Sequence, residues 1–304
     1  MDKNPTEDLV RISNAVSGIQ VNIAARPNDL YLQSQLAAPD NFEPAVSVGK
    51  HVLAPDSVIL DVGACLGFVS TALGQIAHDG RVIAVEANPQ LIEGLRATAA
   101  GYENLEVVHL AVGDSAGQSD YHMDANGGAW GYVAVEGQDL QAPATSKVVP
   151  VKQTSIDSLC QELALERLDL IKLDVEGSEV HALHGAKEVL DRFEPIAVVE
   201  LNPFCLWRYG RTLPQDLTEL MSSRWPYLYS VAPGGAVEKL VNNASISQLF
   251  ASIGVNGGLV DLVGSPMELD LPENLQGRTE PIKVAETDDP HKSSAKWNFR
   301  RFLR

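Results

Sequence analysis

The strongest constraint on the fold is a change of rhythm at Val58, after which short apolar runs alternate with helical periods. Val58 to Val62 reads as a buried strand, residues 68–76 as a helix, Arg81 to Glu86 as a second strand, residues 89–100 as a second helix and residues 105–111 as a third strand. Short apolar strands joined through helices need crossover connections, which imply βαβ units and a parallel sheet. Residues 118–153 break the rhythm, with strand patterns at 118–123 and 148–153 around the Gly-rich stretch 126–132. It resumes with a strand at 168–175, a helix at 178–191, a strand at 196–201, a helix at 213–221, and strands at 227–231 and 259–263. Upstream, a weak helical pattern over 28–37 stops at Pro39-Asp40, and a second over 43–53 has Pro44 in its first turn. Residues 1–27 show no clear pattern. The expected organisation is an N-terminal helical cap (1–54), an α/β domain (55–265) and a Pro- and charge-rich, loosely structured tail (266–304).

Composition narrows the partners. With 23 basic and 40 acidic residues the net charge is −17, which argues against a nucleic acid or an anionic membrane, since phosphates reward clustered Lys and Arg. Lys292, Lys296, Arg300, Arg301 and Arg304 run against this trend and read as a solvated tail. Three widely spaced cysteines, Cys65, Cys160 and Cys205, suggest neither a disulfide framework nor a zinc cluster, and fit reduced thiols in a cytoplasmic protein. The N-terminus leads into no long apolar core of the secretory kind, and no run of about 18 apolar residues is available to span a bilayer.

The first chemical motif is Asp61-Val62-Gly63-Ala64-Cys65-Leu66-Gly67, between a strand and a helix. Glycines there permit a tight turn and close backbone approach to a ligand. Glu86, 25 residues on at the end of the second strand, suits the two hydroxyls of a ribose, or alternatively caps the helix near Asn88-Pro89. Asp114, just past the third strand, suits the exocyclic amine of an adenine, and equally a turn. A nicotinamide cofactor would require Gly-x-Gly-x-x-Gly and a mouth open to pyrophosphate. Here Cys65 replaces the second glycine, and Asp61 is expected at the loop mouth, where it would repel pyrophosphate and attract a cation. S-adenosylmethionine, with a sulfonium and an α-amino group, fits that charge.

The second motif runs from Leu168 to Glu179 and delivers Asp174, Glu176 and Glu179 at a strand-to-helix turn through Gly177. Ligands in open α/β sheets lie beyond the carboxyl ends of the strands. Asp174 and Glu176 are therefore expected to share a crevice with Asp61 and Glu86, while Glu179 is expected to cap or solvate the helix. The next strand ends in Glu200-Leu201-Asn202-Pro203. Asp174, Glu200 and Asn202 could present oxygens to a divalent cation such as Mg2+; the alternative is that Glu200 holds substrate hydroxyls. His181 and His184 lack a third ligand at suitable spacing and read as structural, and His122 lies in the excursion. Trp130, Tyr132, Phe204, Trp207 and Tyr209 flank the crevice and suit stacking or core packing.

These motifs resemble the FkbM family of methyltransferases. The resemblance rests on Asp61-Val62-Gly63-Ala64-x-x-Gly67, Glu86-Ala87-Asn88-Pro89, Ser155-Ile156-Asp157-Ser158-Leu159 and above all Leu170-Ile171-Lys172-Leu173-Asp174-Val175-Glu176-Gly177-Ser178-Glu179, followed by Gly185-Ala186 and Glu200. It covers roughly residues 28–232; Cys65-Leu66 and Ile156 depart from the usual pattern. It implies an α/β, Rossmann-like class I methyltransferase fold with a seven-stranded, mostly parallel sheet, an antiparallel last strand and helices on both faces. It also implies S-adenosylmethionine-dependent O-methylation of a sugar, polyketide or related natural product. Gly63 and Gly67 would flank the methionine part, with Ala64 beside them, Glu86 and Ala87 the ribose, and Asp114 the adenine; the segment around Glu43 would cover the cofactor, and Asp174 would touch it. Asp174 is the expected proton acceptor, with Glu176 or a metal-bound arrangement involving Glu200 and Asn202 as the alternative. An NAD-dependent oxidoreductase and a non-catalytic adenosyl-binding module remain the competing expectations.

Overall fold

The computed structural model describes residues 8–123, 131–134, 147–253 and 258–276. An eight-stranded sheet forms its centre, in the spatial order Val237–Leu240, Tyr227–Val231, Val260–Ser265, Ile196–Leu201, Leu170–Leu173, Val58–Val62, Arg81–Glu86, Leu105–His109. The five strands from Ile196–Leu201 to Leu105–His109 are mutually parallel, and Val260–Ser265 runs antiparallel to both its neighbours. This is the α/β, mostly parallel, class I methyltransferase arrangement implied above, extended by an eighth edge strand in a hairpin with Tyr227–Val231. From Val58–Val62 the chain first builds outward through Arg81–Glu86, then returns to the other side through Leu170–Leu173. Such a reversal opens a crevice at the carboxyl ends of the two central strands.

Alternate strand residues enter two cores. Val62, Val85, Leu173 and Val199 join one apolar cluster, and Ile59, Ala84, Leu170 and Val198 the other. Burial on both faces explains why these strands read as continuous apolar runs.

The N-terminal segment differs from the expected all-helical cap. Val10–Val16 and Ile19–Ala25 form an antiparallel hairpin ahead of the helices Leu30–Leu36 and Pro44–Val52. Each strand ends in three consecutive buried residues, Asn14–Val16 and Ile23–Ala25, which interrupts the period-2 pattern that precedes them. The expected helix over 178–191 is two helices, Glu179–His184 and Lys187–Phe193, split at Gly185-Ala186 where the chain meets the Gly113 carbonyl. The excursion forms a separate four-stranded sheet of Ala111–Val112, Lys147–Thr154, Gly117–Met123 and Tyr132–Val133. Residues 266–276 are docked, not loose. Leu269, Leu271 and Leu275 pack on the core, and Leu275 N–H donates to the Gly235 carbonyl at 2.8 Å. The helix Asn243–Ile253, rich in Ser and Asn, buries Leu249 and Ile253 and was not legible as a helix. Trp130, most of the Gly-rich stretch and the basic residues from 292 onward lie outside the described residues. Among the described residues no helix is long and apolar enough to cross a membrane.

Candidate active site

The alternation that fills the two cores also aligns the charges. Asp61, Glu86, Lys172, Asp174, Glu200 and Asp261 share the parity of Ile59, Ala84, Leu170, Val198 and Val263, so all lie on the sheet face covered by the N-terminal segment. There, a cavity of about 350 Å3 opens between the strand ends and the residues around Tyr31 and Glu43. Its walls include Glu43, Gly63, Cys65, Glu86, Lys172, Asp174, Glu176, Glu200 and Asp261.

Lys172 anchors this face. Its side chain is 7% exposed, and Nζ lies 3.4 Å from both Asp61 Oδ1 and Asp174 Oδ2 while donating to the Gly63 carbonyl at 3.1 Å. Burial works against its charge, but Asp174, Asp61 and Glu43 outweigh burial and hold its pKa above the ordinary lysine value. Asp61 is therefore not the mouth acid expected from its position. It is fully buried, accepts from Ser70 Oγ and faces Lys172, so its charge is spent inside the protein. The acidic field at the cavity comes from Glu43, Glu86, Asp174, Glu176, Glu200 and Asp261 instead.

The loop after the first strand is shaped by Gly63. Its φ is +84°, and a Cβ there would sit 1.8 Å from the Asp174 carbonyl oxygen, so only glycine lets the two central strand ends approach. Glu86 lines the cavity, and its carboxylate accepts from Cys65 N–H at 2.8 Å and Asn88 N–H at 2.7 Å. It does not cap the next helix, Ile92–Ala99, whose N-cap position is Leu91 and which has no side-chain cap. Burial raises its pKa against the lowering effect of those two donors. Ala87 lines the cavity; Ala64 and Gly67 do not, Ala64 being packed in the core and Gly67 standing beside Leu95. Asp114 is exposed and bonds Ser115 Oγ at 3.0 Å, while the cavity wall along this stretch is Leu110, Ala111 and Val112.

The second motif delivers its acids unequally. Asp174 faces the cavity with 40% of its side chain exposed. Glu176, at a φ of +52°, accepts from the Cys205 thiol at 3.1 Å and is pushed up to about 8 by burial and by Asp174. Glu179 does not solvate its helix. It is 1% exposed and ties down its own turn, accepting from Val175 N–H at 3.0 Å and Gly177 N–H at 3.2 Å. The metal expectation does not come together. Asn202 Oδ1 is committed to Cys205 N–H at 3.3 Å, Asp174 is held by Lys172, and among the described residues no group of three or more His, Cys, Asp or Glu could hold an ion. The Lys172 ammonium supplies the countercharge a divalent ion would have brought.

His122, Tyr132 and Tyr209 stack, with centroids 4.8 and 3.8 Å apart, and Phe204 meets Tyr209 edge-on at 5.8 Å. Only Tyr132 of this ladder lines the cavity. The ladder rests on a π-helical turn, Leu206–Gly210, which leaves Trp207 62% exposed. His181 bonds the Gly210 carbonyl at 2.9 Å and His184 is exposed, so both stand apart from the site. Sequence reasoning assigned no role to Lys172 or Asp261. A lysine or aspartate inside an otherwise apolar strand was the available signal.

The carboxyls carry a pH signature. Glu43 and Glu179 are pushed up to about 7, and Glu176 and Asp261 to about 8, each chiefly by burial. A carboxyl raised on folding binds more protons folded than unfolded, so its contribution is full below the unfolded pKa and is lost as pH rises through the folded one. The ligand-free protein is expected to lose thermal stability steadily from about pH 5 to about pH 8. A melting temperature that climbed over that window would contradict the assignment.

The model of the methyltransferase FkbM domain matches residues 61–224. Among curated proteins the chain is similar to the 2-O-methyltransferase NoeI of Sinorhizobium fredii, 26% identical over 147 residues, which make up 45% of this chain and 60% of that protein. It is also similar to the AMB antimetabolite synthetase AmbE of Pseudomonas aeruginosa, 26% identical over 165 residues, 44% of this chain and 8% of that protein. The chain thus covers less than two thirds of either relative's length. Among solved structures, the methyltransferase FkbM from Methylobacillus flagellatus aligns with a TM-score of 0.42 and 18% identity, covering 61% of this chain and 44% of that one.

Proposed function

With residues 61–224 matching its model, the chain belongs to the FkbM methyltransferase family, and from that premise we propose that it transfers a methyl group from S-adenosylmethionine to a hydroxyl of a sugar, polyketide or related small molecule. The observation that carries this reading is the cavity at the topological switch point, lined by six carboxyl side chains around one buried ammonium. Such a lining suits a positively charged donor and opposes a diphosphate. The volume of about 350 Å3 falls within the usual range for small-molecule sites. The name of the relative NoeI, a 2-O-methyltransferase, supports oxygen as the acceptor atom.

When bound, the cofactor supplies an electrophilic methyl carbon on a positively charged sulfur. Glu86 would hold its ribose hydroxyls, the Gly63 and Cys65 loop its amino-acid end, and Leu110, Ala111 and Val112 its base. Gly67, Ala64 and Asp114 would act at one remove, through the loop and the walls. Asp174 would receive the acceptor's proton. A carboxylate held by an ammonium is a weak base, but the hydroxyl proton becomes strongly acidic as oxygen takes on the methyl as a third substituent and gains positive charge, so a weak, well-placed base suffices. Lys172 would hold that carboxylate on the cavity side, and the N-terminal segment around Tyr31 and Glu43 would keep water out.

Calorimetric titration tests the premise: S-adenosylhomocysteine is expected to bind and NAD is not. Binding of NAD alone would replace the proposal with an oxidoreductase, and binding of neither would favour a scaffold. Glu86→Ala, which removes the acceptor for two backbone N–H groups as well as for ribose, is expected to weaken S-adenosylhomocysteine binding at least tenfold, about 1.4 kcal/mol. Unchanged affinity would remove Glu86 from the cofactor site. Isotopically labelled cofactor with a panel of glycosylated and polyketide hydroxyls would identify the acceptor, with a chelator arm to test metal dependence.

A further inference from the structure

Beyond Asp174 the acids continue across the sheet in a direction that leads away from Glu86. Asp174 follows Leu173, whose register partner is Val199, so Asp174 stands level with Glu200, and Glu200 is the direct cross-strand partner of Asp261. Glu86 lies on the other side of the first strand. If the cofactor's ribose is held by Glu86, the Glu200–Asp261 end of the cavity is left for the acceptor. Pro233 and Leu259 complete the wall there.

Burial raises the pKa of both carboxyls of this pair, so charging it brings repulsion directly across the strands, and it has no protein cation of its own. Lys172 spends its contacts on Asp61, Asp174 and the Gly63 carbonyl, and no ion pair among the described residues involves Glu200 or Asp261. Glu200 Oε2 is sealed from solvent without a hydrogen-bond partner. A buried, unsatisfied carboxyl oxygen on a residue that lines a cavity calls for a donor that comes from outside the chain. A neutral hydroxyl would fill a lone pair but would do nothing to favour the ionised pair. Among the described residues no group of three or more His, Cys, Asp or Glu side chains could hold a metal ion. An ammonium group satisfies both demands, with up to three donors and a full positive charge.

We propose that the Glu200–Asp261 pair binds an ammonium group on the methyl acceptor, which is therefore an amino-bearing polyol such as an amino sugar. This rests on the methyltransferase reading and deepens it by naming a feature of the acceptor.

The test uses the full chain saturated with S-adenosylhomocysteine, titrated with glucosamine and, separately, with glucose, by calorimetry or ligand-observed NMR. Glucosamine is expected to bind at least tenfold more tightly than glucose. Asp261→Asn and Glu200→Gln, both near-isosteric, are each expected to abolish that preference while S-adenosylhomocysteine affinity stays within twofold. The second variant guards against misfolding of the first. Equal affinities for the two sugars, no binding of either, or a preference that survives both substitutions would overturn the ammonium site and leave the methyltransferase reading standing. Failure of S-adenosylhomocysteine itself to bind would overturn that reading, and this inference with it.

Discussion

Lys172→Met is expected to destabilise the protein by about 3–5 kcal/mol, the usual effect of removing one partner from a buried ion pair. Asp61 is fully buried, and its Oδ1 faces Lys172 with no hydrogen-bond donor of its own, so the substitution strands a carboxylate inside the core. Asp174 loses its anchor in the same step, and the cavity loses the one cation set among its acids. Urea unfolding measures the effect. Asp61→Asn added to Lys172→Met should recover a large share of the loss, because the stranded charge is then gone and the two sites are in contact. A loss under about 1 kcal/mol for the single variant would mean that Asp61 is adequately stabilised by Ser70 alone, and that Lys172 is not the centre of the charge network.

Asp174→Asn is expected to lower turnover about 10²–10⁴-fold, the contribution usual for a general base. S-adenosylhomocysteine affinity should stay within a few fold, since the amide keeps the shape of the carboxylate and Glu86 still lines the donor end. Single-turnover measurement with labelled cofactor separates the chemical step from binding. If turnover and affinity fall together, Asp174 holds the cofactor and does not receive the proton. Glu176, bonded to the Cys205 thiol and raised to about 8, would then be the next acid to replace.

The central strands were legible because each is a local run. Val58–Val62, Arg81–Glu86, Ile196–Leu201 and Tyr227–Val231 lie where the apolar rhythm puts them. The N-terminal hairpin was missed because the alternation in Ile19-Gln20-Val21-Asn22-Ile23 is short and each strand then ends in three consecutive buried residues, Asn14–Val16 and Ile23–Ala25. Glu86, Asp174, Glu176 and Glu200 were picked out one by one at element ends and Glu43 through the family resemblance, and the fold gathers them around one cavity. Asp61 was assigned to the same mouth, and Asn202 to a metal. The structure gives both side chains other partners for one reason: a strand-end position states where the backbone ends but not what the side chain meets. Asp61 meets Lys172 from a strand 111 positions along, and Asn202 turns back on its own helix start.

What the sequence determined by itself is the run of central strands and helices and the class of fold, because apolar period and glycine placement act within a few residues along the chain; the family came from the resemblance of its motifs. What only the tertiary structure decided is which charges neutralise one another and which are left facing the cavity. Strand pairing sets Lys172 beside Asp61 and Glu200 opposite Asp261. Coulomb energies depend on those through-space distances and on burial, neither of which spacing along a chain encodes.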